Sequence, residues 1–147
     1  MGQYYPSNQS NVLVGSKTDG GTRTSVDLTA SYDVANKTKV IKTAGFTMID
    51  VDVLYTMGAT ETSNSIEMRV QVSNDNVNFY RMMIETISGG QSVLTAREFT
   101  FVGTNAAAAT FSIPLDVMYN YMEFTFKETG KVTNFGTVFA ECTLSGQ

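Results

Sequence analysis

The sequence predicts an all-β protein: a single antiparallel β-sandwich or jelly roll of about eight strands, with an extended N-terminal arm. Three observations carry this expectation. Apolar residues recur at every second position through most of the chain after about residue 38. Short clusters of Gly, Asn, Asp, Ser and Thr interrupt those runs. The helix-like stretch at residues 106–109 is a short alanine run bounded by β-type residues, too brief to hold a helix on its own.

Residues 1–37 read as the arm. They are rich in Gly, Ser, Thr, Asn and Gln, with two small apolar islands, Val12-Leu13-Val14 and Val26-Asp27-Leu28. Thr18-Asp19-Gly20-Gly21-Thr22 is turn chemistry between them. The islands, with Tyr4 and Tyr5 before Pro6, give such an arm apolar surface to bury against a neighbouring subunit. Tyr4, Tyr5, Val12, Leu13 and Val14 are therefore the candidate partner contacts.

Residues 38–147 read as the sandwich domain. Val40 and Ile41 open a strand ending near Gly45, and Ile49, Val51, Val53 and Tyr55 alternate with mostly polar neighbours. Residues 58–64 form a polar turn. Ile66, Met68, Val70 and Val72 then alternate with Glu67, Arg69, Gln71 and Ser73, so one face meets a core and the other meets solvent. After the Ser73-Asn74-Asp75-Asn76 turn, a strand is expected over 79–87, broken by Ser88-Gly89-Gly90. Further strands are expected over 94–102, over 106–113 (stopped by Pro114), over 119–127, and over 132–144 with a break at Gly136.

Composition narrows the function classes. The chain has 147 residues, the size of one ordinary domain, and an apolar fraction of 42%, enough for a core. It contains no histidine and one cysteine, which removes most of the side chains used for acid–base, nucleophilic and metal chemistry. A non-enzymatic module without a cofactor is expected. Net charge is −4 and the ten Lys and Arg are scattered, which disfavours direct nucleic-acid binding. No stretch reaches the ~18–20 apolar residues of a membrane helix. The first ten residues lack the basic and apolar regions of a signal peptide, so the chain is expected to stay in the cytoplasm that makes it. Cys142 lies in the alternation Val138, Ala140, Cys142, Leu144 and reads as a buried hydrophobe.

Three polar features could carry chemistry. Asp50 and Asp52 share a strand face ~6–7 Å apart, a carboxylate pair, although adjacent acids on one strand usually form a solvated face. The loop Asn74-Asp75-Asn76-Val77-Asn78 offers oxygen ligands for calcium, or Asx side chains that satisfy their own turn. Gly20-Gly21 and Gly89-Gly90 are followed by no Lys-Ser/Thr and are turns rather than phosphate cradles.

The segment Val70-Gln71-Val72-Ser73-Asn74-Asp75-Asn76-Val77-Asn78-Phe79 resembles the strand–turn–strand V-x-V-S-x-D-x-x-N-F/W of discoidin-like domains and of tailed-bacteriophage virion β-sandwich proteins. Residues 130–138 resemble the closing hairpin of such phage proteins. Tyr119-Asn120-Tyr121-Met122-Glu123-Phe124 resembles the Y-x-x-x-x-F strand that precedes it. The motifs cover a minority of the chain and describe a fold more than an activity. Discoidin-like sugar or lipid binders commonly carry Trp after the turn; Phe79 stands there and the chain has no Trp, which favours the virion family.

The resemblance implies a virion protein assembled in a host cytoplasm. It points to a capsid auxiliary or decoration protein binding the major capsid protein, or another virion protein, as a homo-oligomer or in many copies, without nucleic-acid or membrane contact. The alternatives are a receptor- or glycan-binding module of a fibre or tail, or a head–tail or tail-tube ring component.

Overall fold

The computed structural model of the chain describes residues 8–32, 40–103, 108–131 and 133–146. Among these there is no helix. The strands are β1 (Gln9–Val14), β2 (Ser16–Lys17), β3 (Arg23–Thr24), β4 (Val26–Asp27), β5 (Ile41–Lys42), β6 (Met48–Thr56), β7 (Ser65–Ser73), β8 (Tyr80–Arg81), β9 (Met83–Ser88), β10 (Gln91–Ala96), β11 (Glu98–Val102), β12 (Ala108–Asp116), β13 (Tyr121–Thr129) and β14 (Thr137–Ser145). All their pairings are antiparallel.

Two five-stranded sheets pack face to face as a β-sandwich. The first runs β1-β14-β6-β12, with β4 also on β14; the second runs β11-β7-β13-β5, with β8 also on β7. The period-two pattern decides which side chains meet between them. β6 turns Ile49, Val51, Val53 and Tyr55 inward, and β14 adds Val138, Ala140, Cys142 and Leu144. From the opposite sheet come Ile66, Met68, Val70 and Val72 of β7 and Met122, Phe124 and Phe126 of β13, all in one contiguous core. Cys142 sits in that layer as expected, and burial pushes its thiol from 9.0 up to about 11.

Over its described length the N-terminal arm adds short edge strands to the sandwich. β1 pairs with β14 of its own chain. The register slips between Val12 and Val14, so Leu13 is an extra residue at a β-bulge. The bulge lets two consecutive residues, Leu13 and Val14, both become buried. Gly15 follows at φ +89°, where a Cβ would strike the Thr24 carbonyl. The chain then folds the β2–β3 hairpin over the outer face of the first sheet, where Arg23 lies 5.5 Å from the centre of the Phe139 ring. Past β4, Leu28 donates to Gly136 O (2.9 Å) and Thr29 O accepts from Glu128 N (2.9 Å), so this segment bridges both sheets. Residues 9–29 thus pack on the sandwich as edge strands and a bridging segment.

Three expectations are corrected. The strand expected over 79–87 is divided at Met82, and that over 94–102 is divided at Arg97, because the chain leaves the second sheet there to make a separate hairpin. Pro114 does not end its strand. It pairs in register with Asp50 inside β12, an edge strand, the one setting in which a proline nitrogen needs no ladder partner.

The core layer predicts a strong asymmetry of mutational cost. Phe126→Ala, at a fully buried site, should lower the unfolding free energy by about 3–5 kcal/mol. Leu94→Ala, on the hairpin, should change it by less than about 0.5 kcal/mol. Urea denaturation of the two variants checks this; equal losses would contradict the core assignment.

Candidate functional site

The feature that stands apart from the sandwich is the β9–β10 hairpin. Its turn is Gly89-Gly90, with φ +59° and +78°, and Ser88 pairs with Gln91 across it. Two consecutive positive φ values in a two-residue loop mark a type I′ turn, which glycine enters without strain. The hairpin is inserted into one sheet edge. β8 and β11 both pair with β7, at Gln71–Val72 and at Ser65–Arg69, and the hairpin leaves between them. Met82 holds its base, donating to Val70 O (3.1 Å) while its own carbonyl accepts from Arg97 N (2.7 Å). An Arg81–Glu98 ion pair closes the same base.

Beyond that base the apolar side chains of the ribbon have no cover among the described residues. Met83, Ile84, Ile87, Val93 and Leu94 are all exposed, Ile87 at 72% and Leu94 at 63%. The register puts Met83, Ile87 and Leu94 on one face and Ile84 and Val93 on the other. A lone two-stranded hairpin is marginal in water, and apolar groups on both faces make it a surface to be covered. Phe101 of β11 stacks on Phe111 of β12, centroids 4.7 Å apart and planes at 29°, with Val102 exposed beside them.

The expected partner contacts lie elsewhere. Leu13 and Val14 are buried in their own core and Val12 is half-buried opposite Glu141. Tyr4 and Tyr5 lie outside the described residues. Alternation could have indicated the hairpin: residues 83–96 hold apolar residues at both parities around a Gly-Gly turn, a pattern no one-sided strand explains.

Asp50 and Asp52 face outward from β6, and Asp52 stands opposite Glu141 on β14. The Glu141 carboxylate is held by Lys17 (3.0 Å) and Arg23 (2.8 Å), which offsets the like-charge pairing. Asp52, Glu141 and Arg23 border a shallow groove of about 280 Å³ with Leu54, Thr110 and Ser112. In the Ser73–Asn78 turn, Asp75 Oδ1 accepts from Val77 N (2.9 Å) and Asn78 N (2.8 Å), and Oδ2 accepts from Asn78 Nδ2 (2.7 Å). These donors hold the Asp75 carboxyl well below the usual carboxylate range. Both oxygens are therefore occupied by the turn itself, which is Asx chemistry.

Sequence reasoning missed the buried carboxylates. Glu128 is 1% exposed, bonded to the Tyr55 hydroxyl and accepting from Gly136 N at 3.0 Å. Its parity gave the signal, since it continues the inward series Met122, Phe124, Phe126. Burial, and then Glu128, push the Tyr55 hydroxyl far above its ordinary value. A side chain at Gly136 would collide with the Thr56 carbonyl and the Glu128 carboxylate. Glu61, also buried, accepts from Thr133 N and from Asn134 N (2.6 Å). With its amide turned so that Nδ2 faces acceptors, Asn64 donates to Glu61 (3.1 Å) and to Gly130 O (2.8 Å). This polar cluster ties the connection at residues 130–136 to Tyr55, Glu61 and Asn64 through side-chain hydrogen bonds.

On the outer face of the second sheet, Tyr32 lies under Arg69 (4.5 Å) and Lys127 (4.8 Å). Burial, then Glu98 and Glu67, push its hydroxyl from 10.0 up to about 12.

No protein-family model and no curated protein sequence matches the chain.

Two outcomes follow from the polar groups. Tyr55→Phe leaves Glu128 short of a buried donor and should cost about 1–3 kcal/mol in urea unfolding, with no such loss for Tyr80→Phe at the surface. The folded state disfavours the Tyr32 phenolate. Stability from that term is intact below pH 10 and is lost as pH rises from 10 towards about 12. Tyr32→Phe should make the loss of stability between pH 10 and 12 less steep, Tyr55 supplying the rest, and an unchanged slope would contradict the assignment.

Proposed function

We propose that the chain is a non-enzymatic structural protein that works by assembling with other proteins. The setting is the one its sequence motifs suggest: a tailed-bacteriophage particle, as a capsid auxiliary or decoration protein on the major capsid lattice. The observation that carries the proposal is the projecting hairpin with five exposed apolar side chains on a two-stranded ribbon. Catalytic pockets gather a few convergent polar groups in a concave site, whereas an exposed apolar ribbon suits protein–protein contact. In this reading the sandwich is a rigid body and the hairpin ties each copy into the assembly. Modest individual contacts add up over many copies of a symmetric shell.

A glycan-binding role on a fibre or tail has one supporting observation. Tyr80, 68% exposed, borders a groove of about 300 Å³ with Asn74, Asn78 and Tyr119. An exposed ring beside amides is a stacking platform for a sugar.

Co-sedimentation with emptied phage shells tests the proposal. Binding is expected for the native chain and should fall at least tenfold for Ile87→Lys/Leu94→Lys. Saturable binding to neutral oligosaccharides that is lost in Tyr80→Ala, without shell binding, would move the assignment to the glycan role.

A further inference from the structure

Strand β8 carries an aromatic ring on its core-side parity that stays open to solvent. Tyr80 pairs with Val72 across the ladder, so both side chains stand on the face of the second sheet that meets the core. Val72 is 3% exposed, whereas Tyr80 is 68% exposed. The core therefore ends between them, and Tyr80 belongs to its open rim. The groove of about 300 Å³ at that rim includes Val72, the Ser73–Asn78 turn, Met83 and Tyr119, and among the described residues none from the first sheet lines it.

The turn beside the ring is fixed by its own hydrogen bonds. Asp75 accepts from Val77 N, Asn78 N and Asn78 Nδ2, and Ser73 Oγ donates to Asp75 Oδ1 (2.9 Å). Asn120 N donates to Asn74 Oδ1 (3.2 Å) and Asn120 Nδ2 donates to Asn74 O (3.1 Å), which ties the turn to the entry of β13. These bonds use one atom of each groove amide. Asn74 Nδ2 and Asn78 Oδ1 are left over, one donor and one acceptor in a rigid frame. The groove's charges are met within the chain, since Arg81 pairs with Glu98 and the turn satisfies Asp75. Met83 and Tyr119 also line a second groove, of about 200 Å³, that ends at Arg97, Asp116 and the exposed Met118.

A charged ligand finds no unpaired opposite charge beside Tyr80, and an apolar one would leave the two amide atoms without partners. A neutral polyhydroxylated ring suits both features: its C–H face covers the tyrosine ring and its hydroxyls meet the amide donor and acceptor. We infer that this rim binds a neutral oligosaccharide, with one sugar ring stacked on Tyr80 beside Asn74 and Asn78 and the next lying over Met83 and Tyr119 towards Met118. The inference rests on the glycan reading of the Tyr80 groove and adds to it the ligand's charge, its minimum length and two subsites. It is independent of the hairpin and of its part in assembly.

Calorimetric titration of the full chain tests this. The probes are neutral mono-, di- and trisaccharides of glucose, galactose, mannose and N-acetylglucosamine, with sialylated trisaccharides as the acidic comparison. Saturable binding of a neutral disaccharide is expected, tighter than that of its monosaccharide. Tyr80→Ala should weaken both by at least about tenfold, and Tyr80→Phe should retain most of the affinity because the stacking face remains. Met118→Asp should weaken the disaccharide and leave the monosaccharide unchanged. Both positions are exposed, so an unchanged thermal unfolding profile is expected for each variant. No saturable binding at millimolar sugar, or a preference for the acidic probes, overturns the inference. Sugar binding that survives Tyr80→Ala also overturns it while leaving a glycan role standing at another surface. Shell co-sedimentation of Tyr80→Ala at the native level is expected; its loss would make this rim an assembly contact and overturn the inference while the assembly reading stands.

Discussion

Each sheet of a sandwich ends in two strands whose outward N–H and C=O groups need partners, a cover or a guard. The arrangement of this molecule follows from how it meets that need on its two sides. On the side of β14 and β13 the N-terminal segment does the work. β1 and β4 share the edge of β14, and Thr29 and β5 take opposite ends of β13. The bulge at Leu13 and the bridging Leu28 turn that backbone pairing into burial as well. On the other side β8 and β11 divide the edge of β7 between them, and β12 is left open. The chain therefore covers one flank with short N-terminal strands, and among the described residues β12 has no such cover on the other.

The polar interior fits the same scheme. Glu128, Tyr55 and Gly136 sit where the segment bridging the sheets meets β13 and β14. A buried carboxylate is costly unless its oxygens are met, and here a hydroxyl and a backbone N–H meet them. That arrangement requires a glycine at 136, because any Cβ would displace the acceptor that defines the site. Glu61 and Asn64 repeat the solution nearby, satisfying the backbone of residues 130–134 through side chains instead of strand pairing. The carboxylates thus specify how the connections at that end pack, which is a structural role.

The four inner strands were legible because their alternation is strict: residues 49–55, 66–72, 122–126 and 138–144 each place one parity in the core. What periodicity could not convey was which neighbour a segment pairs with. Val12-Leu13-Val14 is as apolar as a partner-binding island and as a bulged edge strand, and only the long-range pairing with residues 140–144 separates the two. Residues 79–102 hold enough β-formers for two long strands, yet Met82 and Arg97 take the chain out of the sheet, a choice made by tertiary pairing with Val70. Pro114 misled for a related reason, since its effect depends on whether the strand lies at an edge. Glu128 was legible by parity, but a charged residue on an inward position argues against burial until its donors are known.

These features bear on why an unguarded flank would persist. An exposed, uncharged ribbon beside an uncharged edge is an aggregation hazard, and the usual remedy is a lysine or a proline on the strand. The chain applies that remedy at Pro114 and stops there, leaving residues 108–113 and 91–96 open. A ribbon of marginal stability can adjust as it docks, and the ordering it undergoes lowers the affinity of each contact. In the proposed assembly role, modest contacts of this kind add up over many copies, so no single ribbon has to bind tightly.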